Sequence, residues 1–320
     1  MDLLSGSWPG ELFFFEGGQE RSFAVPVMLK DKAGEIINVG GGIQERSEGL
    51  LIRGTVQWEQ TDNGTFVTYH GRRIESTPDK PISSTGTAST VRAVDWDGDG
   101  DYDLIVGNID GDVYFIPNEG TTTAYVFGKE KQLQAGGQRV HVNGRAGPYA
   151  ADWDCDSDLD LLVGAEDGSV TLFRNTGSAK SPELAAGMQL VPPGRVDYGP
   201  NISKEPQRGN RAKVCVADWN GDGRPDLLVG DYGTLKPDRP DPTPEEQARY
   251  DQIRKDMEPI EKRFRELIQR LDGSDRPKTK EDQKQLYESL NEISGQMQSL
   301  RSQLPPEYET HGWVWLFLRK

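Results

Sequence analysis

Short aliphatic and β-branched runs, each bounded by turn residues, recur along this chain in a fixed order. Asp103 is followed by LIVG, Asp160 by LLVG and Asp226 by LLVG. Four steps after Gly107 and Gly164 come Gly111 and Gly168, and then the apolar-rich runs DVYFIPN (112–118) and SVTLFRN (169–175). The first residues obey the same grammar: Asp2-LLSG ends at Gly6, four steps lead to Gly10, and ELFFFEG follows. Runs this short, flanked by glycine, read as strands rather than helices. The segments AVD, YAAD and VCVAD that lead into each loop read as strands too. Self-similarity at a period of ~40–60 residues points to a solenoid, propeller or array. The expectation is an all-β fold: a β-propeller of repeated four-stranded antiparallel blades, with four recognisable repeats, rather than a barrel. No βαβ alternation surrounds the repeats, so a doubly wound sheet is not expected. Asp2 falls at the ninth position of a loop whose first eight residues are missing, so the first repeat reads as cut at the N-terminus. The alternative is circular closure, with the C-terminal strand completing that blade.

Corresponding Asp residues lie 101, 57 and 66 residues apart. The long first interval holds a hairpin, GTVQWEQ and TFVTYHG around Asn63-Gly64, a pair suited to a type I′ turn. Residues 30–90 are read either as a metal-free blade or as a decorated loop between blades.

The last repeat is interrupted. After Gly230 the grammar calls for a glycine four residues on, but the matching strand, GWVWLFLRK, starts at Gly312. About 78 residues therefore stand inside a blade turn, edged by LKPDRPDPTP (235–244) and LPPE (304–307). Within them Tyr250, Ile253, Met257, Ile260, Phe264, Leu267 and Leu271 alternate steps of three and four, as do Leu286, Leu290, Ile293, Met297, Leu300 and Leu304. Both are a/d seams. Thr243-Pro-Glu-Glu246 is a capping box with proline at the first helical position. DGSDRPKTK separates the seams, and Pro259 is expected to kink the first arm. The domain reading is thus propeller repeats over 1–234, an inserted antiparallel α-helical hairpin (a coiled coil) over 235–309, and the closing strand of the last blade over 310–320. The two seams suit each other, and the alternative is that the hairpin contacts a partner.

Composition changes the picture in one respect. Gly plus Pro is 57 of 320 residues, a turn-rich chain, and no apolar run approaches the ~18 residues of a membrane helix. The net charge of −15 argues against a nucleic-acid backbone binder. Its distribution says more. The loops DWDGDGDYD (95–103), DWDCDSDLD (152–160) and DWNGDGRPD (218–226) hold 13 Asp and one Arg, a net of −12, leaving −3 for everything else.

Alternate Asp residues converge on one point only where the chain wraps tightly, and Gly98, Gly100, Gly221 and Gly223 permit that wrap. Carboxylates ~4 Å apart repel by about 1 kcal/mol per pair in water and about 4 at an effective dielectric of ~20. A hard cation with oxygen ligands removes the penalty. Ca²⁺ suits it best, with Mg²⁺ second because it demands octahedral geometry and holds its water. The loops match an EF-hand for six residues and then depart: Val106, Val163 or Val229 stands where an EF-hand needs Glu, and a strand follows instead of a helix.

On these loops and the LIVG/LLVG strands after them, the chain resembles the FG-GAP/VCBS family of calcium-binding β-propeller repeats, the type also found in integrin α-subunit heads. The resemblance covers three full loops and the half-loop at Asp2. It implies ligation by side chains at loop positions 1, 3, 5 and 9 and by the carbonyl at 7, giving about three Ca²⁺ sites. Carried over, the first set is Asp95, Asp97, Asp99 and Asp103 with the Asp101 carbonyl. The second is Asp152, Asp154, Asp156 and Asp160 with the Asp158 carbonyl. The third is Asp218, Asn220, Asp222 and Asp226 with the Arg224 carbonyl. Cys155 and Ser157 replace the glycines of the second loop, which predicts a strained wrap, and Asn220 removes one charge from the third. The resemblance also implies an extracytoplasmic setting, although the chain shows no signal peptide.

Nothing points to catalysis. His70, His141 and His311 sit in three unrelated strand contexts, and no nucleophile elbow, Walker loop, HExxH or CxxC occurs. Cys155 and Cys215 read as free thiols. Asn63-Gly-Thr and Asn201-Ile-Ser match glycosylation acceptors. Trp96, Trp153 and Trp219 follow the first Asp of each loop, and inter-blade packing is preferred to substrate stacking for them. The leading reading is a non-enzymatic, calcium-stabilised binding or scaffold module for a protein or glycan ligand. The alternative is a carbohydrate-active propeller, either a polysaccharide lyase or a glycan binder.

Overall fold

A computed structural model of the chain describes residues 2–19, 22–47, 49–198, 202–272 and 279–320. Met1, Asn201 and residues 273–278 of the break between the two seams lie outside the described residues. The chain divides into two compact units. One comprises Met1–Asp197, Glu205–Thr234 and Thr310–Lys320, and the other Tyr198–Lys204 and Leu235–Glu309.

The first unit is built of strands. The repeat at the N-terminus gives β1 (Leu3–Gly6), β2 (Leu12–Phe15) and β3 (Val27–Met28), one antiparallel sheet in that order. Next come β4 (Gly42–Arg46), β5 (Gly49–Arg53), β6 (Gln57–Thr61), β7 (Gly64–Tyr69), β8 (Arg72–Ser76) and β9 (Ile82–Thr85). The second repeat gives β10 (Thr90–Val94), β11 (Asp103–Gly107), β12 (Val113–Ile116) and β13 (Lys131–Gln132), and a short ribbon of β14 (Gln134–Ala135) and β15 (Gln138–Arg139) follows. The third gives β16 (Gly147–Ala151), β17 (Asp160–Gly164), β18 (Val170–Phe173) and β19 (Met188–Val191). The fourth gives β20 (Asn210–Ala217), β21 (Asp226–Leu235) and β22 (Glu309–Phe317).

The fold is therefore mostly β, as the pattern predicts, but the blades are unequal. Only the second and third repeats are four-stranded; the first and fourth have three strands among the described residues, and the strands make seven small sheets with no closed propeller. The strand of the GWVWLF run pairs with β21, so it completes the fourth repeat and not the first. Residues 42–85 form no blade of the repeating kind. β5 and β9 run parallel, with β6-β7-β8 as a separate meander, and both share a core of Leu50, Ile52, Val67, Tyr69 and Ile82. The turn of the hairpin at 57–69 is also shifted by one residue from the expected position. Thr61 pairs with Gly64, so Asp62 and Asn63 are the central residues, and neither has the positive φ that a type I′ turn requires.

Consecutive repeats bury their strands against each other. Leu104, Val106 and Ile116 of the second repeat pack with Leu12 of the first; Ile105 and Val113 pack with Leu161 and Val163 of the third; Leu162, Val170 and Leu172 pack with Leu227 and Val229 of the fourth. Each fully buried Leu, Ile or Val contributes about 1.5–3 kcal/mol. The middle strand of each repeat has apolar neighbours on both faces, which explains why LIVG and LLVG are continuous rather than alternating.

The second unit holds α1 (Pro244–Asp272) and α2 (Lys280–Arg301). The Thr243 N–H donates to Glu246 at 2.8 Å while the Glu246 N–H donates back to the Thr243 hydroxyl at 3.3 Å, a reciprocal cap. α1 runs on through Pro259. Ile253 and Met257 of α1 and Leu286, Leu290 and Ile293 of α2 are buried, all of them seam positions. No helix among the described residues is long and apolar enough to cross a membrane.

Candidate metal centre

Each acidic loop lies between two antiparallel strands: β10 and β11, β16 and β17, β20 and β21. The wrap depends on two left-handed residues per loop. They are Gly98 (φ 69°) and Gly100 (φ 98°) in the first, Gly221 (φ 75°) and Gly223 (φ 82°) in the third, but Cys155 (φ 66°) and Ser157 (φ 74°) in the second. A side chain in this region costs roughly 1–2 kcal/mol per residue, so the second loop carries the strain that its sequence predicts.

The ninth Asp of every loop is completely buried and bound by backbone on both oxygens. Asp103 accepts the N–H of Trp96 at 3.0 Å and of Asn118 at 2.8 Å. Asp160 accepts from Trp153 and Asn175, and Asp226 from Trp219 and Arg319. One oxygen thus closes the loop on itself and the other ties it to the end of the next strand. Asp2 makes the second kind of bond in the first repeat, accepting the Gly17 N–H at 2.8 Å. The tie spans 15 residues in the first three repeats and 93 in the fourth, and the difference of 78 measures the insertion. Sequence reasoning placed these residues only as metal ligands and missed their bracketing of the backbone. The signal was present in the equal steps from Asp103 to Asn118 and from Asp160 to Asn175.

The remaining acidic residues divide the loops. Asp95, Asp97 and Asp99 each bring an oxygen within 4.8 Å of the others, and so do Asp152, Asp154 and Asp156. Oδ1 of Asp95, Asp97, Asp154 and Asp158 is buried without a hydrogen-bond partner. Burial pushes the Asp97 carboxyl up from its ordinary value, and neighbouring Asp99 adds to the effect. Burial and then Asp156 do the same for Asp158. Asp160 is raised by burial, and Asp103 is pushed up to about 6 by the same cause. Orphaned, clustered oxygens that resist ionisation are what a hard divalent cation relieves, so the donor set of the first two loops fits Ca²⁺. The second loop differs in one contact, because Arg174 pairs with Asp154 through its other oxygen.

The third loop keeps the turn bonds of the others, in which Asp152 accepts the N–H groups of Asp156 and Ser157 and Asp95 that of Gly100, but its Asp218, Asn220 and Asp222 side chains stand open to solvent. Asp218 accepts N–H bonds from Gly221, Asp222 and Gly223, and Asn220 bonds Asp222 through its side-chain nitrogen and accepts the Asp222 N–H through its oxygen. These side chains are exposed, and their oxygens serve the turn. Asp101, Asp158 and Arg224, whose carbonyls the resemblance implicates, share one feature of the turn: each N–H donates to the side chain two residues earlier, Asp99, Asp156 or Asp222.

The candidates for other chemistry stay apart. His70 stacks on Tyr69, His141 contacts Asp112 at 2.9 Å, and His311 stacks on Trp313. Cys155 and Cys215 are free and exposed.

A search of curated proteins returns no match to the chain. The FG-GAP-like repeat family matches residues 95–163 and 152–229. Each window opens on the first Asp of an acidic loop and closes in the aliphatic strand after the next one. Over residues 95–229 the chain is similar to the FG-GAP-like repeat family.

Proposed function

We propose that the protein is a calcium-stabilised binding module of the β-propeller type, with structural Ca²⁺ in the loops at 95–103 and 152–160. The observation that carries this reading is the set of orphaned, mutually close carboxylate oxygens in those two loops. Asp95, Asp97 and Asp99 hold the first ion, and Asp152, Asp154 and Asp156 the second, with Asp103 and Asp160 fixing the loop backbone around them. The loop at 218–226 is a weaker third site, since Asn220 brings one charge fewer and stands exposed with Asp218 and Asp222. The bound ion supplies charge neutralisation and rigidity and takes no part in a reaction. Similarity to the FG-GAP-like repeat family supports an extracytoplasmic setting, where Ca²⁺ is abundant enough to fill such sites.

Isothermal calorimetry on the metal-free protein tests the reading. Two tighter Ca²⁺ equivalents are expected, each reduced by Asp97→Asn or Asp154→Asn respectively. A Ca²⁺ concentration 100-fold above Kd adds ~2.7 kcal/mol of stability per site. Absence of binding heat together with a melting temperature indifferent to Ca²⁺ sinks the proposal.

A further inference from the structure

Successive repeats are joined by the same pair of backbone bonds. Ala88 and Ser89 donate their N–H groups to the carbonyls of Trp8 and Ser7, Arg145 and Ala146 to those of Ile109 and Asn108, and Arg211 and Ala212 to those of Glu166 and Ala165. The first donor of each pair lies two residues before the strand position that pairs with Gly107, Gly164 or Gly230. It is left-handed every time: φ is 48° at Ala88, 44° at Arg145 and 59° at Arg211. Glycine alone takes this backbone without cost, yet arginine holds the position twice. Strain of this kind gathers at ligand clamps.

The three positions border one cavity of about 340 Å³, which Trp8 of the first repeat, Thr90 of the second and Lys213 of the fourth also line. All four repeats contribute to its wall and the paired bonds close the backbone between them, so it belongs to their junction and is not an uncovered edge. Three cations share one carboxylate there. Nε of Arg145 lies 2.5 Å and Nε of Arg211 3.2 Å from the two oxygens of Glu166. No other carboxylate comes within 4.0 Å of either guanidinium or of the Lys213 ammonium among the described residues. The terminal nitrogens of both arginines make no hydrogen bond among those residues. Lys213 donates to the Arg145 carbonyl at 3.2 Å and lies across Gly147, where a Cβ would stand 2.8 Å from its Nζ. Although open to the cavity, Lys213 is crowded by protein, and its ammonium is pushed down to about 8 by lost hydration and then by Arg145. A chain of net charge −15 thus gathers an uncompensated positive charge at one point. Beside it Trp8 is 56% exposed, its ring centre 5.5 Å from the Arg145 guanidinium.

We propose that this cavity binds an acidic sugar, a pyranose ring bearing a carboxylate. The carboxylate takes the free ends of Arg145 and Arg211, whose planar forks match it, and the ammonium of Lys213. The apolar face of the ring lies on Trp8, and Thr90 offers a hydroxyl to those of the sugar. The volume stands at the small end of ligand sites, ~300–1,000 Å³, and suits one residue of a glycan rather than a protein surface. The inference rests on the reading of the protein as a binding module, to which it gives a ligand, and it does not require calcium.

Saturation-transfer NMR of sodium D-glucuronate with the whole chain tests it. Saturable binding is expected, with neutral D-glucose bound about tenfold more weakly or worse. Arg211→Gln and Lys213→Met should each weaken glucuronate binding about tenfold, as loss of one charge-assisted bond does. Trp8→Ala, at an exposed residue, should weaken it several-fold. Cooperative urea unfolding of each variant separates a lost site from a lost fold. The proposal is overturned if glucuronate does not bind, if folded variants bind it as tightly as the wild type, or if inorganic sulfate binds with the same affinity. Calcium calorimetry on the same samples reports on the metal loops alone, so the two readings fail separately.

Discussion

The second and third repeats share with the fourth the nine-residue loop, the bracketed ninth Asp and the aliphatic strand after it, yet they differ in what lies against their outer face. Val113 and Val170 are fully buried by the repeat that follows, while their equivalent Val314 is 71% exposed. Trp96 is 4% exposed and Trp219 63%. The approach of backbones tells the same story. A Cβ on Gly107 or Gly164 would stand 2.3 Å from the carbonyl of Ala146 or Ala212 in the next repeat, but one on Gly230 would meet nothing nearer than 3.8 Å. The loops follow suit: the first two hold carboxylate oxygens that are buried without a hydrogen-bond partner, whereas Asp218 and Asp222 of the third stand open to solvent. One sequence motif thus holds its carboxylates at two degrees of burial, according to what packs beside it.

The largest effect that separates these states is packing. Trp96→Ala is expected to cost about 3–5 kcal/mol, as loss of a buried aromatic ring does. Trp219→Ala should stay within about 0.5 kcal/mol, as surface changes do. Urea unfolding of the two variants measures both, and equal losses would break the comparison.

Next comes pH. The carboxyls of Asp97, Asp103, Asp158 and Asp160 are raised above their ordinary values chiefly by burial. A raised carboxyl favours the protonated folded form, so in metal-free protein these groups contribute stability below the unfolded value near 4 and lose it as pH rises toward about 6, where Asp103 titrates. Calcium binds the ionised groups and opposes that loss. The gap in melting temperature between calcium-loaded and dialysed protein should therefore widen from pH 4 to 6. The same gap should persist in Asp222→Asn and shrink in Asp97→Asn; a gap indifferent to Asp97 would remove the distinction between the loops.

The smallest effect lies inside the second loop. Cys155→Gly and Ser157→Gly each relieve a left-handed side chain and should add about 1 kcal/mol, less the entropy that glycine restores to the unfolded chain. Thermal melts of the single variants decide it, and destabilisation by both would show that the wrap is not strained.

Much of this was legible in the sequence because repeats announce themselves. LIVG, LLVG and LLVG place β11, β17 and β21, the capping box places the start of α1, and the GWVWLF run places β22. The parallel pairing of β5 with β9 was not legible, since nothing local in GLLIR or ISST distinguishes a parallel from an antiparallel neighbour. Nor was the true centre of the turn at Asp62-Asn63, where strand pairing overrode the preference of Asn-Gly. The difference between the first two loops and the third was equally hidden: Asn220 changes one charge, but the exposure of the whole loop is set by what packs beside it.

The interruption of the fourth repeat has a consequence for the order of assembly. Asp226 is bound to the backbone of Arg319, 93 residues away, whereas each earlier repeat closes the same bond over 15. For a flexible loop that difference in length costs about 1.6 kcal/mol more in closure entropy, which local folding of the helices between the two ends reduces. During synthesis both ends of each of the first three ties are made within 15 residues, while β21 waits for the helices to be made before its last partner exists. Closure of the sheet of β20, β21 and β22 thus depends on sequence outside the sheet.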